Sequence, residues 1–281
     1  MNEIFSIIVP CYKNSDLLTT CIDSILKQNY SQMELIICED AGGGFDSSFF
    51  EKYIEKNRKQ NLIKYDVYSN PENYGTVKNL NCAIHKANGN YIKIIAADDV
   101  FLDSSVLTKV APLIRSSKNG CVLCDVLLCD SDLNAIRKYS SKFIDNISTL
   151  SPDECFEKLC IRNKINAVGI FFEKRFFDEN GYFNEKYRLL EDWPTWLNLY
   201  KHNRKIDYYP YIATKRRIST GVVANNNPYF LADRRLVWTD IVKPNKHKIK
   251  LSTFIRAGIG AYLYTTPFLR SAYYRIRGKK L

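Results

Sequence analysis

Two aspartates, Asp98 and Asp99, close the apolar run Ile94-Ile95-Ala96-Ala97. Adjacent carboxylates repel, so the pair needs a cation or wide solvation. A hard divalent ion bridging to phosphates meets that need. The structural alternative is a helix N-cap followed by a solvated acid. A second acidic pair, Glu39-Asp40, ends the run Ile36-Ile37-Cys38. A carboxylate there can accept the N3–H of a uracil or thymine ring. Tyr12, which follows Val9-Pro10-Cys11, either stacks on the same base or sits as a rim aromatic. A third pair, Glu191-Asp192, precedes Trp193-Pro194-Thr195-Trp196. Acids at a helix start favour the macrodipole, and the two indoles offer flat faces to a sugar ring or fill a core. Arg216-Arg217 is a diphosphate ligand or a solvated basic pair.

The elements that must hold these residues read as an α/β alternation. Phe5 to Val9 is a strand closed by Pro10, and Ser15 is expected to cap a helix from Asp16 to Gln28. Strands follow over Glu34–Cys38, Ile63–Tyr68 and Tyr91–Ile95. Helices are expected over Phe49–Lys59, Gly75–Ala87 and Trp193–Tyr200, with Gly89 as a stop signal. Such spacing predicts a mostly parallel sheet flanked by helices, with ligands at the carboxyl ends of its strands. The acidic pairs at 39–40 and 98–99 fall at those ends. Beyond Asp103 the pattern loosens, and Asn225-Asn226-Asn227-Pro228 is expected to be a mobile loop.

Composition narrows the class. The 281 residues are 46% apolar and 25% charged, as in a folded globular protein. No apolar run nears the roughly 20 residues of a membrane span. The first residues lack a basic n-region, so the chain is expected to stay in the cytoplasm. Cys11, Cys38, Cys82, Cys121 and Cys124 lie in apolar segments and read as small buried hydrophobes. Cys121 and Cys124 have a zinc-like spacing, but Val122, Leu123 and Val126 make that stretch a buried strand. The net charge of +11 is uneven: ten of the 41 basic residues and none of the 30 acids lie from Ile241 onward, leaving the rest at +1. In this segment Leu269, Ala272, Tyr273 and Ile276 share a helical face flanked by Arg270, Arg275, Arg277 and Lys279. Basic residues beside an apolar, Tyr-rich stripe suit an anionic membrane surface, reached through residues 252–281. A helix docked on the protein's own core is the alternative.

Several motifs follow one another in order: Val9-Pro10-Cys11-Tyr12, Ile36-Ile37-Cys38-Glu39-Asp40, Asn73-Tyr74-Gly75 leading to Asn81, Gly89-Asn90-Tyr91-Ile92, and Ala97-Asp98-Asp99. Together they resemble the nucleotide-sugar half of family 2 glycosyltransferases, inverting bacterial enzymes with the GT-A fold. Gly181-Tyr182-Phe183-Asn184-Glu185 and Glu191-Asp192-Trp193-Pro194-Thr195-Trp196 resemble that family's acceptor half. The likeness spans about residues 4 to 217. It implies a domain over 1–217, with a nucleotide-sugar half at 1–102 and a mixed acceptor half at 103–217. The remaining 218–281 would be a loop and a basic amphipathic helical segment.

By position, the resemblance implies that Asp40 binds the base, Tyr12 stacks on it, and Pro10, Asn73, Gly75 and Lys78 line the donor side. Asp98 would lie near the ribose and metal, and Asp99 would hold Mg²⁺ or Mn²⁺ on the diphosphate. Asp192 would be the catalytic base, with Glu191 and Trp193 on the acceptor side. The chain departs from the family at Ala96, where an aspartate is frequent, at Leu80, where an arginine is common, and at Ala41-Gly42, where Gly-Ser is usual. Lys78 stands near the missing arginine. The implied reaction moves a sugar, with inversion, from a UDP-sugar (a dTDP- or GDP-sugar remaining open) to a glycan or lipid-linked acceptor. Two rival readings stand beside it. A nucleotidyltransferase also needs paired acids and a metal, but Pro10-Cys11-Tyr12-Lys13-Asn14 lacks a Gly-rich phosphate loop. A nucleic-acid binder needs basic and aromatic residues across the body, and the body is neutral, so no nucleic acid is expected as a partner.

Overall fold

A computed structural model describes residues 3–218 and 227–263. In chain order the elements are β1 (Phe5–Cys11), α1 (Leu18–Leu26), β2 (Met33–Glu39), α2 (Ser47–Asn57), β3 (Leu62–Ser69), α3 (Thr76–Lys86), β4 (Tyr91–Ile94), β5 (Val100–Phe101), α4 (Val106–Ser116), β6 (Cys121–Cys129) and β7 (Ala135–Lys138). Then come α5 (Lys142–Asp145), α6 (Pro152–Ile161), β8 (Ile170–Glu173), α7 (Arg175–Asn180), α8 (Asp192–Lys201), β9 (Asp207–Arg217), α9 (Pro228–Leu236) and α10 (Leu251–Leu263). They form two compact units. One is drawn from Met1–Ser141, Asn166–Phe183 and Ile206–Val222, the other from Lys142–Ile165, Asn184–Lys205 and Val223–Leu281.

The first unit is built on one mixed sheet in the order β3-β2-β1-β4-β8-β6-β9-β5, with β7 paired to β6. β1, β2, β3 and β4 run parallel. The near-continuous apolar runs of β1 and β2 are what strands covered on both faces require, whereas β3, at the sheet edge, is partly exposed. Leu18, Cys21, Ile22, Ile25 and Leu26 give α1 a single buried face against Phe5, Ile7 and Leu35 in the same core. Antiparallel β8 then separates β4 from β6. The predicted alternation is present. One detail differs: Ser15–Leu17 form a 3₁₀ turn before α1 and Ser15 makes no capping bond. Asn14 takes up the local polar work, its Oδ1 accepting from Tyr12 N at 3.0 Å. Cys121 and Cys124 are buried in β6, and burial pushes both thiols up, Cys124 to about 12.

The second unit is helical. Ser151 and Glu154 form a reciprocal capping box at the start of α6, with Pro152 in its first turn. α10 lays Phe254 against Trp238, ring centroids 4.7 Å apart. Gly258 meets the same indole, where a Cβ would stand 3.0 Å from the ring. Residue Glu157 of α6 accepts from Thr253 Oγ1 at 2.8 Å and Lys250 N at 3.2 Å, satisfying donors at the start of α10. No helix among the described residues is long and apolar enough to cross a membrane. The predicted face Leu269, Ala272, Tyr273 and Ile276 and the loop residues Asn225 and Asn226 lie outside the described residues.

Candidate active site

In the sheet unit, three strand ends share one edge. β1 and β2 pair in register, Pro10 with Cys38 and Cys11 with Glu39. Asp40 N then donates to Cys11 O at 3.0 Å, and Ala97 N to Pro10 O at 3.4 Å. Backbone bonds alone therefore bring Pro10, Tyr12, Asp40 and the turn leading to Asp98 together, as the sequence predicts.

Asp40 is buried and engaged. Its Oδ1 accepts from Asn70 Nδ2 at 3.0 Å and Tyr74 N at 2.8 Å, and its Oδ2 from Gly75 N at 2.8 Å. The Gly75 N–H is one of the unpaired donors that open α3, so Asp40, just after β2, caps that helix from outside. Gly75 makes this possible with φ +79°, a conformation side chains disfavour. Asn73 Nδ2 donates to Asp40 O at 3.1 Å, and Asn79 bridges Asn70 to Cys38 O. Ala41, where the family usually has Gly, carries a left-handed φ of +52°. Glu39 ties down the next turn, accepting from Gly42 N and Ser69 Oγ at 2.5 Å each. On the rim, Lys78 lies 3.9 Å over the Tyr74 ring and Lys13 5.1 Å over the Tyr12 ring.

Asp98 and Asp99 are both buried, so the solvated-acid alternative fails. The end of β9 holds them. Arg217 N donates to Asp99 Oδ1 at 3.1 Å, and its guanidinium donates to Asp98 O at 2.5 Å and Ser131 O at 2.9 Å. Arg217 is thus buried in a structural role, whereas Arg216 points to solvent. Burial, together with the Asp98 charge, pushes Asp99 up to about 7, against the pull of Arg216 and Lys93. Lys93 lies wholly inside the sheet. Its ammonium donates to Val168 O and, at 3.1 Å, to Ile170 O, and burial holds it down at about 7. Among the described residues no group of three His, Cys, Asp or Glu side chains forms a complete metal cage. The oxygen donors of Asp98 and Asp99 nevertheless fit a hard dication that takes its remaining ligands from phosphate and water. Such an ion would offset the burial and the Asp98 charge that together lift Asp99.

In the helical unit, Glu191 and Asp192 open α8. Asp192 Oδ2 accepts from Asn163 Nδ2 at 2.5 Å, and Oδ1 from Trp193 N at 2.6 Å. Glu191 sits beside it, its carboxyl raised by burial and by the Asp192 charge. Trp193 in the first turn of α8 and Asn163 in the loop after α6 thus fix Asp192, while Glu191 is driven toward its protonated form. Trp193 offers no open face: it is 5% exposed, and its Nε1 donates to Leu159 O at 2.9 Å. Its indole is packing, as is that of Trp196. The turn before this pair hangs on Asp233 of α9. That buried carboxylate accepts from the backbone N–H of Arg188 at 3.0 Å, Leu189 at 2.6 Å and Leu190 at 3.0 Å.

Asn163, Asp233 and the inward turn of Arg217 escaped sequence reasoning. Asp233 precedes Arg234-Arg235 and reads as part of a solvated helix face. For Arg217 a signal existed: strand periodicity places one member of an arginine pair inward.

The fold and its acidic strand ends define a glycosyltransferase of the GT-A type. A family model for Glycosyl transferase family 2 matches residues 6–180, and the chain belongs to that family. It is 22% identical to an uncharacterized glycosyltransferase of Rickettsia prowazekii, covering 86% of this chain and 72% of that one. It is 24% identical to the processive diacylglycerol beta-glycosyltransferase of Mycoplasma genitalium, covering 76% and 63%. Among solved structures it resembles S. aureus TarS 1–349 in complex with UDP, with a TM-score of 0.63 and 17% identity over 97% of this chain and 75% of that one. It spans 46% of a longer TarS chain. The mannosyltransferase PcManGT of Pyrobaculum calidifontis, in complex with GDP-Man and Mn²⁺, aligns with a TM-score of 0.59 and 15% identity over 100% and 77%.

Proposed function

We propose that this glycosyltransferase moves a sugar, with inversion, from a UDP-sugar to a hydroxyl of a glycan or lipid-linked acceptor at the cytoplasmic face of an anionic membrane. The observation that carries the donor half is the shared edge holding Tyr12, Asp40, Asp98 and Asp99. Asp40 has one acceptor position left on Oδ2, enough for the N3–H of uracil or thymine. Tyr12 stacks on that base, and Pro10, Asn73 and Gly75 shape its seat. Lys78 supplies positive charge where the family's arginine is missing. Asp98 lies toward the ribose, and Asp99, with Asp98, would hold Mg²⁺ or Mn²⁺. A bound dication supplies neutralisation of charge on the leaving diphosphate.

Asp192 is the base. As the acceptor oxygen bonds the anomeric carbon and the bond to the diphosphate breaks, its carboxylate takes the hydroxyl proton. Asn163 and the Trp193 N–H hold that carboxylate in one orientation, and Glu191 lines the acceptor side. The uridine choice draws on TarS, whose structures contain UDP and UDP-GlcNAc. The lipid-linked acceptor draws on the Mycoplasma relative's name and on the basic residues after Ile241. The test is nucleoside diphosphate release from a panel of UDP-, dTDP- and GDP-sugars with Mn²⁺. Release from a UDP-sugar, lost on chelation, is expected. Release from GDP-sugars alone would overturn the uridine assignment.

A further inference from the structure

α10 presents an unusual surface. At 100° per residue, Leu251, Ile255, Ile259 and Tyr262 fall within about 80° of one another around the helix. They are 73%, 50%, 48% and 49% exposed. The opposite face carries Thr253, Ala257 and Ala261, which are buried in the helical unit, while Phe254 and Gly258 meet Trp238. The helix therefore turns its small residues inward and its large aliphatic ones outward. A lone exposed leucine needs no explanation, but an aliphatic stripe three turns long marks a contact surface.

Charge says what kind of contact. Arg256 borders the stripe on its exposed side. The Lys164 ammonium is held below the usual lysine range by burial and by the positive charges of Arg162, Lys158 and Arg256. Arg256 thus has basic neighbours although like charges repel, while the acid Glu157 is engaged at the start of the helix. Lys250 is exposed just before the helix begins, and no acid follows Asp240 in the chain. A second copy on this face would bring two such clusters together. Nucleic acid would meet mainly aliphatic side chains, with Tyr262 as the one aromatic of the stripe, where a series of stacking platforms is needed. Hydrocarbon beneath a layer of anionic headgroups satisfies both the stripe and the cluster.

We propose that the Leu251–Ile255–Ile259–Tyr262 face of α10 inserts into the interface of an anionic bilayer, with Arg256 and its basic neighbours on the headgroups. This deepens the membrane part of the function proposed above and rests on it. The contact is distinct from the face that the sequence predicts farther along the chain.

The test uses the full chain and substitutions, because deletion from residue 252 would strip Phe254 from Trp238. Sedimentation is measured with phosphatidylcholine vesicles, with and without about one-third phosphatidylglycerol. Wild-type protein is expected to sediment with the anionic vesicles only, and a fraction should stay bound at roughly 0.5 M salt, where charge is screened. I255K/I259K raises the positive charge but removes the stripe. It should lose that salt-resistant fraction by at least tenfold, while an unchanged thermal midpoint shows that it folds. I255E/I259E should fail to sediment at any salt. Wild-type-like binding by either variant would overturn the inference. So would a wild-type dimer without lipid that I255K/I259K converts to monomer, since the stripe would then be covered by a second copy. UDP release by the same preparations, without vesicles, reports on the donor reaction separately. Its loss would sink the glycosyl-transfer assignment and leave the insertion result standing.

Discussion

The sheet unit and the helical unit hold their acids by different means. Asp40 and Asp99 are gripped chiefly by backbone N–H groups, Tyr74 and Gly75 for the first and Arg217 for the second, with the Asn70 amide added at Asp40. Those donors are fixed by strand register and helix start, so the grip survives most side-chain changes. Asp192 takes one bond from the backbone N–H of Trp193 and another from the distant side chain of Asn163, and the turn before it depends on the single carboxylate of Asp233. An acid held by the backbone keeps its place as long as the sheet persists. One that also needs a distant side chain, as Asp192 needs Asn163, can be turned by a single substitution. Under the proposed function the sheet unit would be the fixed donor platform, and the helical unit would hold its base with the help of a replaceable strut.

The largest expected effect lies in the helical unit. Asp192→Asn should lower turnover at least about 10²-fold while leaving UDP affinity unchanged, because the amide keeps the shape but takes no proton. Steady-state kinetics and calorimetry read the two halves, and near-normal turnover would remove Asp192 from the reaction. Next is the corresponding break in the sheet unit. Asp99→Ala should abolish the Mn²⁺ dependence of UDP binding by calorimetry; binding that ignores both the metal and this substitution would show the carboxylate assignment to be wrong.

A third variant tests the struts. Asp233→Asn should destabilise the protein by about 2–3 kcal/mol, the scale for weakening several buried bonds to a charged acceptor. The urea midpoint should fall with m unchanged. No shift in midpoint would mean that the 187–190 turn stands without Asp233.

The smallest effect is a pH slope. Glu191 has a folded pKa raised above its unfolded value near 4.5. The native state then binds the proton more tightly, so this group's contribution falls as pH rises from the unfolded value through the folded one. Glu191→Gln should flatten the loss of stability within that window. An identical slope in the variant would place the titration elsewhere.

This contrast also explains what the sequence revealed. β1, β2 and β4 announce themselves as apolar runs, and their acids are adjacent in sequence to the runs they end, so Asp40, Asp98 and Asp99 were legible from local pattern alone. Asp192 became legible only through family resemblance. Its holder Asn163 stands 29 residues upstream, and Asp233, which holds the turn at Arg188–Leu190, lies more than 40 residues downstream. No local period encodes either pairing. Trp193 shows the opposite failure: an aromatic beside an acid suggested sugar stacking, but its ring is consumed by packing. Ser15 looked like a cap by type, yet Asn14 does the local bonding.

The placement of β8 between β4 and β6 has a consequence for how the chain is made. β4 is complete at Ile94, but the strand that covers its second edge begins at Ile170. A growing chain emerging from the ribosome would carry that edge unpaired through the synthesis of α4, β6 and α6, and an open edge is a template for foreign strands. The second edge of β4 should be covered only when residues 170–173 emerge, and β9 joins β6 and β5 later still. Force measurements on arrested nascent chains should show a folding event only beyond that length. An earlier event, with β4 already protected, would mean that another segment guards the edge in the meantime.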